Sequence, residues 1–92
     1  MLRVTVDQGQ GFTRFGVEGS LTQPLAEELK KRWQQVCASR PKSEYRTVDL
    51  TDMMNIDSIG KEILVEMYRD GVELVGSGVM TNALIEEIMG GE

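Results

Sequence analysis

Two runs of alternating apolar and polar residues stand close together at the start of the chain, and their spacing limits the fold more than any other feature. Leu2, Val4 and Val6 alternate with Arg3 and Thr5, and Phe15, Val17, Gly19 and Leu21 alternate with Arg14, Glu18 and Ser20. A period of two is that of a strand with one buried face. Between the runs, Asp7-Gln8-Gly9-Gln10-Gly11 reads as a turn, and strands joined this briefly pair antiparallel. The expected opening is therefore a hairpin whose apolar face needs a cover.

The period then changes. Thr22-Gln23-Pro24 reads as a helix start, with a hydroxyl to cap free N–H groups and a proline placed where no donor is needed. Leu25, Leu29, Trp33 and Val36, with Ala26 and Cys37 beside them, keep helical spacing to about Ala38, and Glu27, Glu28, Lys30, Lys31, Gln34 and Gln35 solvate the opposite side. Ser39 to Glu44 reads as a loop. From Arg46, Val48 and Leu50 alternate with Asp49 and Thr51, which predicts a strand ending in a loop at Asp52 to Asn55. After Asp57-Ser58, the residues Ile59, Ile63, Leu64 and Met67 recur at helical spacing until Gly71. Val72 to Val75 is a short strand and Gly76-Ser77-Gly78 a turn. Met80, Leu84, Ile85, Ile88 and Met89 form the stripe of a last helix, ended by Gly90-Gly91. The order ββαβαβα predicts an α/β mixed sheet, an opening antiparallel hairpin followed by alternating βα units, covered by about three helices.

Length and composition bound what such a fold can do. Ninety-two residues support one core, so positions 1–92 are expected to form a single domain. The 40% apolar and 27% charged residues are ordinary globular values. There is no His and one cysteine, Cys37, which excludes a His-based triad, an intrachain disulfide and the usual nitrogen and sulfur metal cluster. A net charge of -5 argues against nucleic acid and anionic lipid as partners. No signal-like segment and no bilayer-spanning apolar run is present, so membrane insertion is not expected and a reducing cytoplasm is. The charge is unevenly distributed: residues 1–46 carry eight bases and five acids, and residues 47–92 carry two bases and ten acids. The acidic half forecasts a positively charged partner face.

The polar stretch from Asp49 to Gly60 lies at a strand end and a helix start, where open α/β sheets favour ligand sites. Ser58 falls at the helix N-terminus, which tolerates a negative group such as a phosphate. Gly60 removes a side chain nearby, opening the hydroxyl to another protein's active site, and Lys61 adds a cation. The plain alternative is that Asp57 and Ser58 only cap the helix. Asp49 and Asp57 are also readable as an acid pair flanking a cleft, or as solvated loop acids. Cys37 and Trp33 read as core residues. Lys30, Lys31, Arg32, Arg40, Lys42 and Arg46 read as a basic patch for an acidic partner or a solvated surface. Met53-Met54 is either an adaptable contact surface or filler.

This pattern resembles the STAS domain, the family of bacterial anti-sigma factor antagonists and of the cytoplasmic tails of sulfate transporters. Val48-Asp49-Leu50 followed by Ile56-Asp57-Ser58-Ile59-Gly60 resembles the family's aspartate-bearing strand and its Asp-Ser-x-Gly helix start. Gly19-Ser20-Leu21 before Leu25 and Ala26 resembles the segment that opens the first helix, and Gly71 with Glu73-Leu74-Val75 the next strand. The resemblance implies a non-enzymatic switch without a cofactor: an anti-sigma kinase phosphorylates Ser58, and the unmodified form binds that serine kinase-like partner to release a sigma factor. It assigns partner contact to Thr22, Asp49, Asp57, Ser58, Ile59, Gly60 and Lys61. The chain departs from the family at Thr22, where an acid is common, at Lys61, where an apolar residue is usual, and in a shorter 60–71 stretch. Two other functions fit the sequence: a STAS accessory subunit of a lipid-transporting ABC system, whose loop only docks, and a small nucleotide-binding module or enzyme using Asp49, Thr51 and Asp57.

Overall fold

The structure, a computed structural model, describes residues 1–40 and 44–90. Strands β1 (Leu2–Gly9) and β2 (Phe12–Leu21) pair antiparallel, from Leu2 opposite Gly19 to Gly9 opposite Phe12. The turn is tighter than the sequence suggested. Asp7, Gln8 and Gly9 continue the ladder, with Asp7 opposite Arg14, and only Gln10 and Gly11 lie outside it. Gly11 takes φ +84°, a conformation that such a short reversal needs and that side chains resist.

Helix α1 (Ala26–Ala38) leads to β3 (Tyr45–Ile56), α2 (Ser58–Arg69) to β4 (Glu73–Val75), and α3 (Val79–Gly90) follows. The sheet order is β1-β2-β3-β4, with β3 parallel to both β2 and β4. Both crossovers step in the same direction across the sheet, and right-handed connections then place α1 and α2 on the same face. The helices accordingly pack on one another, α1 against α2 and α2 against α3. Phe15, Val17, Leu21, Leu29, Trp33, Val48, Leu50, Ile63, Leu64, Met67, Leu74, Ile85 and Ile88 fill the layer between sheet and helices. The mixed sheet under three helices is the architecture that the element order predicted. The other sheet face is polar and uncovered: Arg3, Thr5, Asp7, Arg14, Glu18, Asp49 and Asp52 line a shallow cleft there.

Four local expectations are corrected. The Thr22 hydroxyl does not cap α1: its carbonyl accepts the Ala26 N–H (2.8 Å), a turn of Gln23, Pro24 and Leu25 intervenes, and Leu25 at the N-cap is exposed rather than buried. Residues 52–55 are strand, not loop, because β3 stays paired to β2 through two register shifts, between Gly16/Glu18 and Gly19/Ser20. Each shift inserts an extra residue in β3. At the first, the Asp49 carboxylate accepts the Thr51 N–H (2.9 Å) and hydroxyl (2.6 Å); at the second, Met54 has no partner on β2 and turns out to solvent, as bulged residues do. On α3, Ile85 and Ile88 are buried as expected, but Met80 and Met89 of the expected stripe are exposed. Finally, Arg46 is 5% exposed, and Arg40 donates to Glu44 (2.6 Å) and to the Gly9 carbonyl (2.7 Å), so Arg46 is buried and Arg40 braces the hairpin end rather than joining a surface patch. Lys42, with the Pro41–Ser43 part of the expected loop, and Gly91 lie outside the described residues.

Candidate functional site

The site is built where β2 and β3 end and α2 begins. Asp57 is the N-cap of α2 in an extended conformation, which aims its carboxylate back at the first turn. One oxygen accepts the Gly60 N–H (2.8 Å) and the other the Gln23 N–H from the β2–α1 connection (2.9 Å). One side chain thus fastens two loops. The Gln23 and Gly60 amides hold the Asp57 carboxyl below the ordinary carboxylate range, because they stabilise only the charged form. The backbone adds Asp57 N–H to Leu21 carbonyl (3.4 Å) and Lys61 N–H to Asp57 carbonyl (3.0 Å).

Ser58 is the first residue of α2 and is exposed, with its hydroxyl on a frame fixed from both sides. Ile59 is half-buried and packs against the core. Gly60 is buried, and a Cβ there would lie 2.1 Å from the Leu21 carbonyl oxygen. The missing side chain therefore lets α2 approach β2, and Leu21 takes the space that the sequence reading offered to a partner. Lys61 lies one turn after Ser58; the two line a shallow pocket with Glu62, Val65, Glu66 and Arg69. The Lys61 ammonium is ion-paired with Glu87 of α3. Thr22 adjoins Gln23 and so sits beside Asp57.

Asp49 belongs elsewhere. It lies on the uncovered face, paired with Arg14 (2.6 Å) and bonded to Thr51, and those contacts, the Thr51 hydroxyl first, hold its carboxyl below the ordinary range. The structure thus brings Thr22, Asp57, Ser58 and Lys61 to one end of the molecule and places Asp49 on another surface. Asp49 and Asp57 do not form a joint acid pair, since each is engaged by its own local donors. Among the described residues no group of three or more Cys, Asp or Glu side chains is placed to hold a metal ion. Cys37 is half-buried, and burial pushes its thiol pKa up, away from the reactive thiolate.

Sequence reading missed two partners of the site. Gln23 contributes a backbone N–H, which any residue would supply, so no side-chain signal marks it. Glu87 reaches Lys61 from the last helix, 26 residues away, so no local pattern pairs the two. Next to the site, Met53, Met54 and Ile56 of β3 face Met80 and Leu84 of α3 across a groove. Met53 is half-buried and Met54 is 79% exposed, so the pair divides between packing and surface.

Solved structures of other proteins share this fold. The crystal structure of an anti-sigma factor antagonist from Mycobacterium paratuberculosis superposes with a TM-score of 0.79 at 21% identity, over 98% of this chain and 79% of that one. An uncharacterised protein from Shewanella loihica with a SpoIIAA-like fold gives 0.58 at 16% identity, over 86% of this chain and 70% of the other. Mglu gives 0.59 at 16% identity, over 82% of this chain but only 19% of its own length. No family model matches the chain, and no curated protein does. The chain has the STAS, SpoIIAA-like α/β fold: a four-stranded mixed sheet with three helices. The resemblance carried by Asp49 to Gly60 is thereby met at the level of fold.

Proposed function

We propose that residues 1–92 act as one STAS-like regulatory domain, without enzymatic activity, that binds an anti-sigma serine kinase-like protein through the Ser58 end and is switched by phosphorylation of Ser58. The observation that carries this reading is the exposed Ser58 on a helix start clamped by Asp57 to the β2–α1 connection, in a fold shared with an anti-sigma factor antagonist. An exposed serine on a held backbone is what such a kinase must reach. Adding a group with ~1.5–2 negative charges there costs desolvation and space in a contact that had packed on the bare hydroxyl. Thr22, Ile59 and Lys61 flank the serine and complete the contact surface, with Gly60 behind it as the packing point. Asp49 then acts on the strand bulge rather than on the partner. No helix among the described residues is long and apolar enough to cross a membrane, and a cytoplasmic setting suits a kinase that uses ATP.

The test is incubation with anti-sigma serine kinases and ATP, read by intact mass. One added phosphate, absent in Ser58→Ala, is expected, together with capture of the kinase by the unmodified form alone. An unmodified Ser58 under an active, bound kinase overturns the switch. If Ser58→Asp weakens complex formation while no phosphate is ever found, the domain is a docking subunit, as in the STAS accessory proteins of transporters.

A further inference from the structure

The start of α2 has few donors left for a new anion. The Asp57 side chain accepts the Gly60 N–H, and its carbonyl accepts the Lys61 N–H. A phosphate on Ser58 would therefore arrive beside a carboxylate that already uses the helix end. The cation placed to answer it is Lys61, at i+3 on the same helix, where side chains are neighbours, and lining the same pocket as Ser58. In the unmodified chain that ammonium bridges to Glu87 of α3.

Helix α3 is lightly attached. Its buried residues are Ile85 and Ile88, while Val79 and Met80 are 86% and 85% exposed. The groove that it forms with Met53, Met54 and Ile56 opens beside the Lys61–Glu87 bridge, because Glu87 also lines it.

We infer that Lys61 is a two-position latch, bridging to Glu87 when Ser58 is unmodified and to the phosphate when Ser58 carries one, so that modification loosens α3 at the methionine groove. The inference rests on reading Ser58 as a modified serine. A phosphate with ~1.5–2 charges outcompetes the single charge of Glu87 for one ammonium on the neighbouring turn. Losing an exposed ion pair shifts a local opening equilibrium by about 1.5- to 5-fold, which is a change of population and not an unfolding.

The experiment installs phosphoserine at position 58 of the full chain during synthesis, which makes the result independent of any kinase. Amide hydrogen exchange is followed in α3, with α1 as the internal reference. Phosphate on Ser58 is expected to speed α3 exchange by about 1.5- to 5-fold while α1 is unchanged. Unmodified Lys61→Gln and Glu87→Gln should show the same acceleration, and phosphate in the Lys61→Gln background should add nothing. Unchanged α3 exchange on phosphorylation, or an undiminished phosphate effect without Lys61, overturns the latch. Should kinases leave Ser58 untouched while the installed phosphate loosens α3, the coupling stands and the phosphoswitch reading falls.

Discussion

Gly60→Ala sets two effects of opposite sign against each other in the first turn of α2. Helix propensity alone favours alanine over glycine by about 0.5–1 kcal/mol, somewhat less this near a terminus. Against that, the new Cβ would meet the Leu21 carbonyl oxygen at 2.1 Å and both Ile56 Cγ1 and Leu21 Cγ at 3.0 Å. The oxygen belongs to backbone, and Leu21 is fully buried, so no flexible side chain can yield. Relief of about 1 Å must come from moving α2 off β2, which pulls on the Asp57 clamp and the Asp57 N–H bond to Leu21. Overpacking of this kind costs about 1–3 kcal/mol, and after the propensity gain the net loss is about 1–2 kcal/mol. For a domain of this length that corresponds to a Tm lower by about 5–15 °C, with a lower urea midpoint at unchanged slope. Gly90→Ala is the control: nothing lies within 4 Å of its Cβ position, so its effect should stay within about 0.5 kcal/mol. A Gly60→Ala protein that melts at or above the unsubstituted chain refutes the close approach of α2 to β2, and with it the geometry given to Ser58.

Two further outcomes concern the carboxylates that the fold engages. Asp57→Asn keeps the acceptor for only one of the Gly60 and Gln23 amides and turns an NH2 toward the other, so it should melt below the unsubstituted protein and above Asp57→Ala; an Asp57→Asn protein that melts with the unsubstituted one would show that the cap does not fasten both loops. Acid stability follows from the carboxyls of Asp57, Asp49 and Glu44, all held below the ordinary range by amide, hydroxyl or arginine donors. Because the folded state lowers these pKa values, the stability they contribute is complete above the unfolded value near about 4 and is lost as pH falls through the folded values. With no His in the chain, the urea midpoint should be nearly flat between about pH 5 and 8 and should fall below about pH 4.5. A midpoint that rises on acidification from about pH 5 to 3 would contradict these hydrogen bonds.

The period of the apolar residues made the fold legible. The alternation Phe15, Val17, Leu21 and the helical spacing Ile63, Leu64, Met67 reflect burial on a single face, and that burial decides the element type. The sequence misled where local chemistry and pairing pull apart. Asp52 to Asn55 reads as a loop because polar residues at both ends break the alternation around the bulged Met54, yet the β2 partner keeps it in the sheet. Thr22 has the chemistry of a cap, but three residues of turn separate it from α1. On α3 the apolar residues outnumber the positions that touch the core, so no periodicity told buried Ile85 from exposed Met80. The Asp57-Ser58 pair was legible as a helix start; the tie from Asp57 to Gln23 was not, because it joins residues 34 apart through a backbone donor.

The charge asymmetry gains a structural cause. The basic half of the chain is largely engaged within the fold: Arg3 with Glu18, Arg14 with Asp49, Lys30 with Glu66 and Arg40 with Glu44. These pairs neutralise acids of the hairpin, β3 and α2. Glu62 and Glu86 stay exposed on α2 and α3, and Asp52 on the uncovered sheet face. Around Ser58, Lys61 and Arg69 stand beside Glu62 and Glu66, and the Lys61 charge is countered by Glu87, so charges of both signs line that end. On the function proposed above, phosphorylation of Ser58 acts at close range, on the packed contact and on the Lys61 bridge. Weakening on phosphorylation should accordingly appear as faster dissociation, with the association rate preserved at low salt.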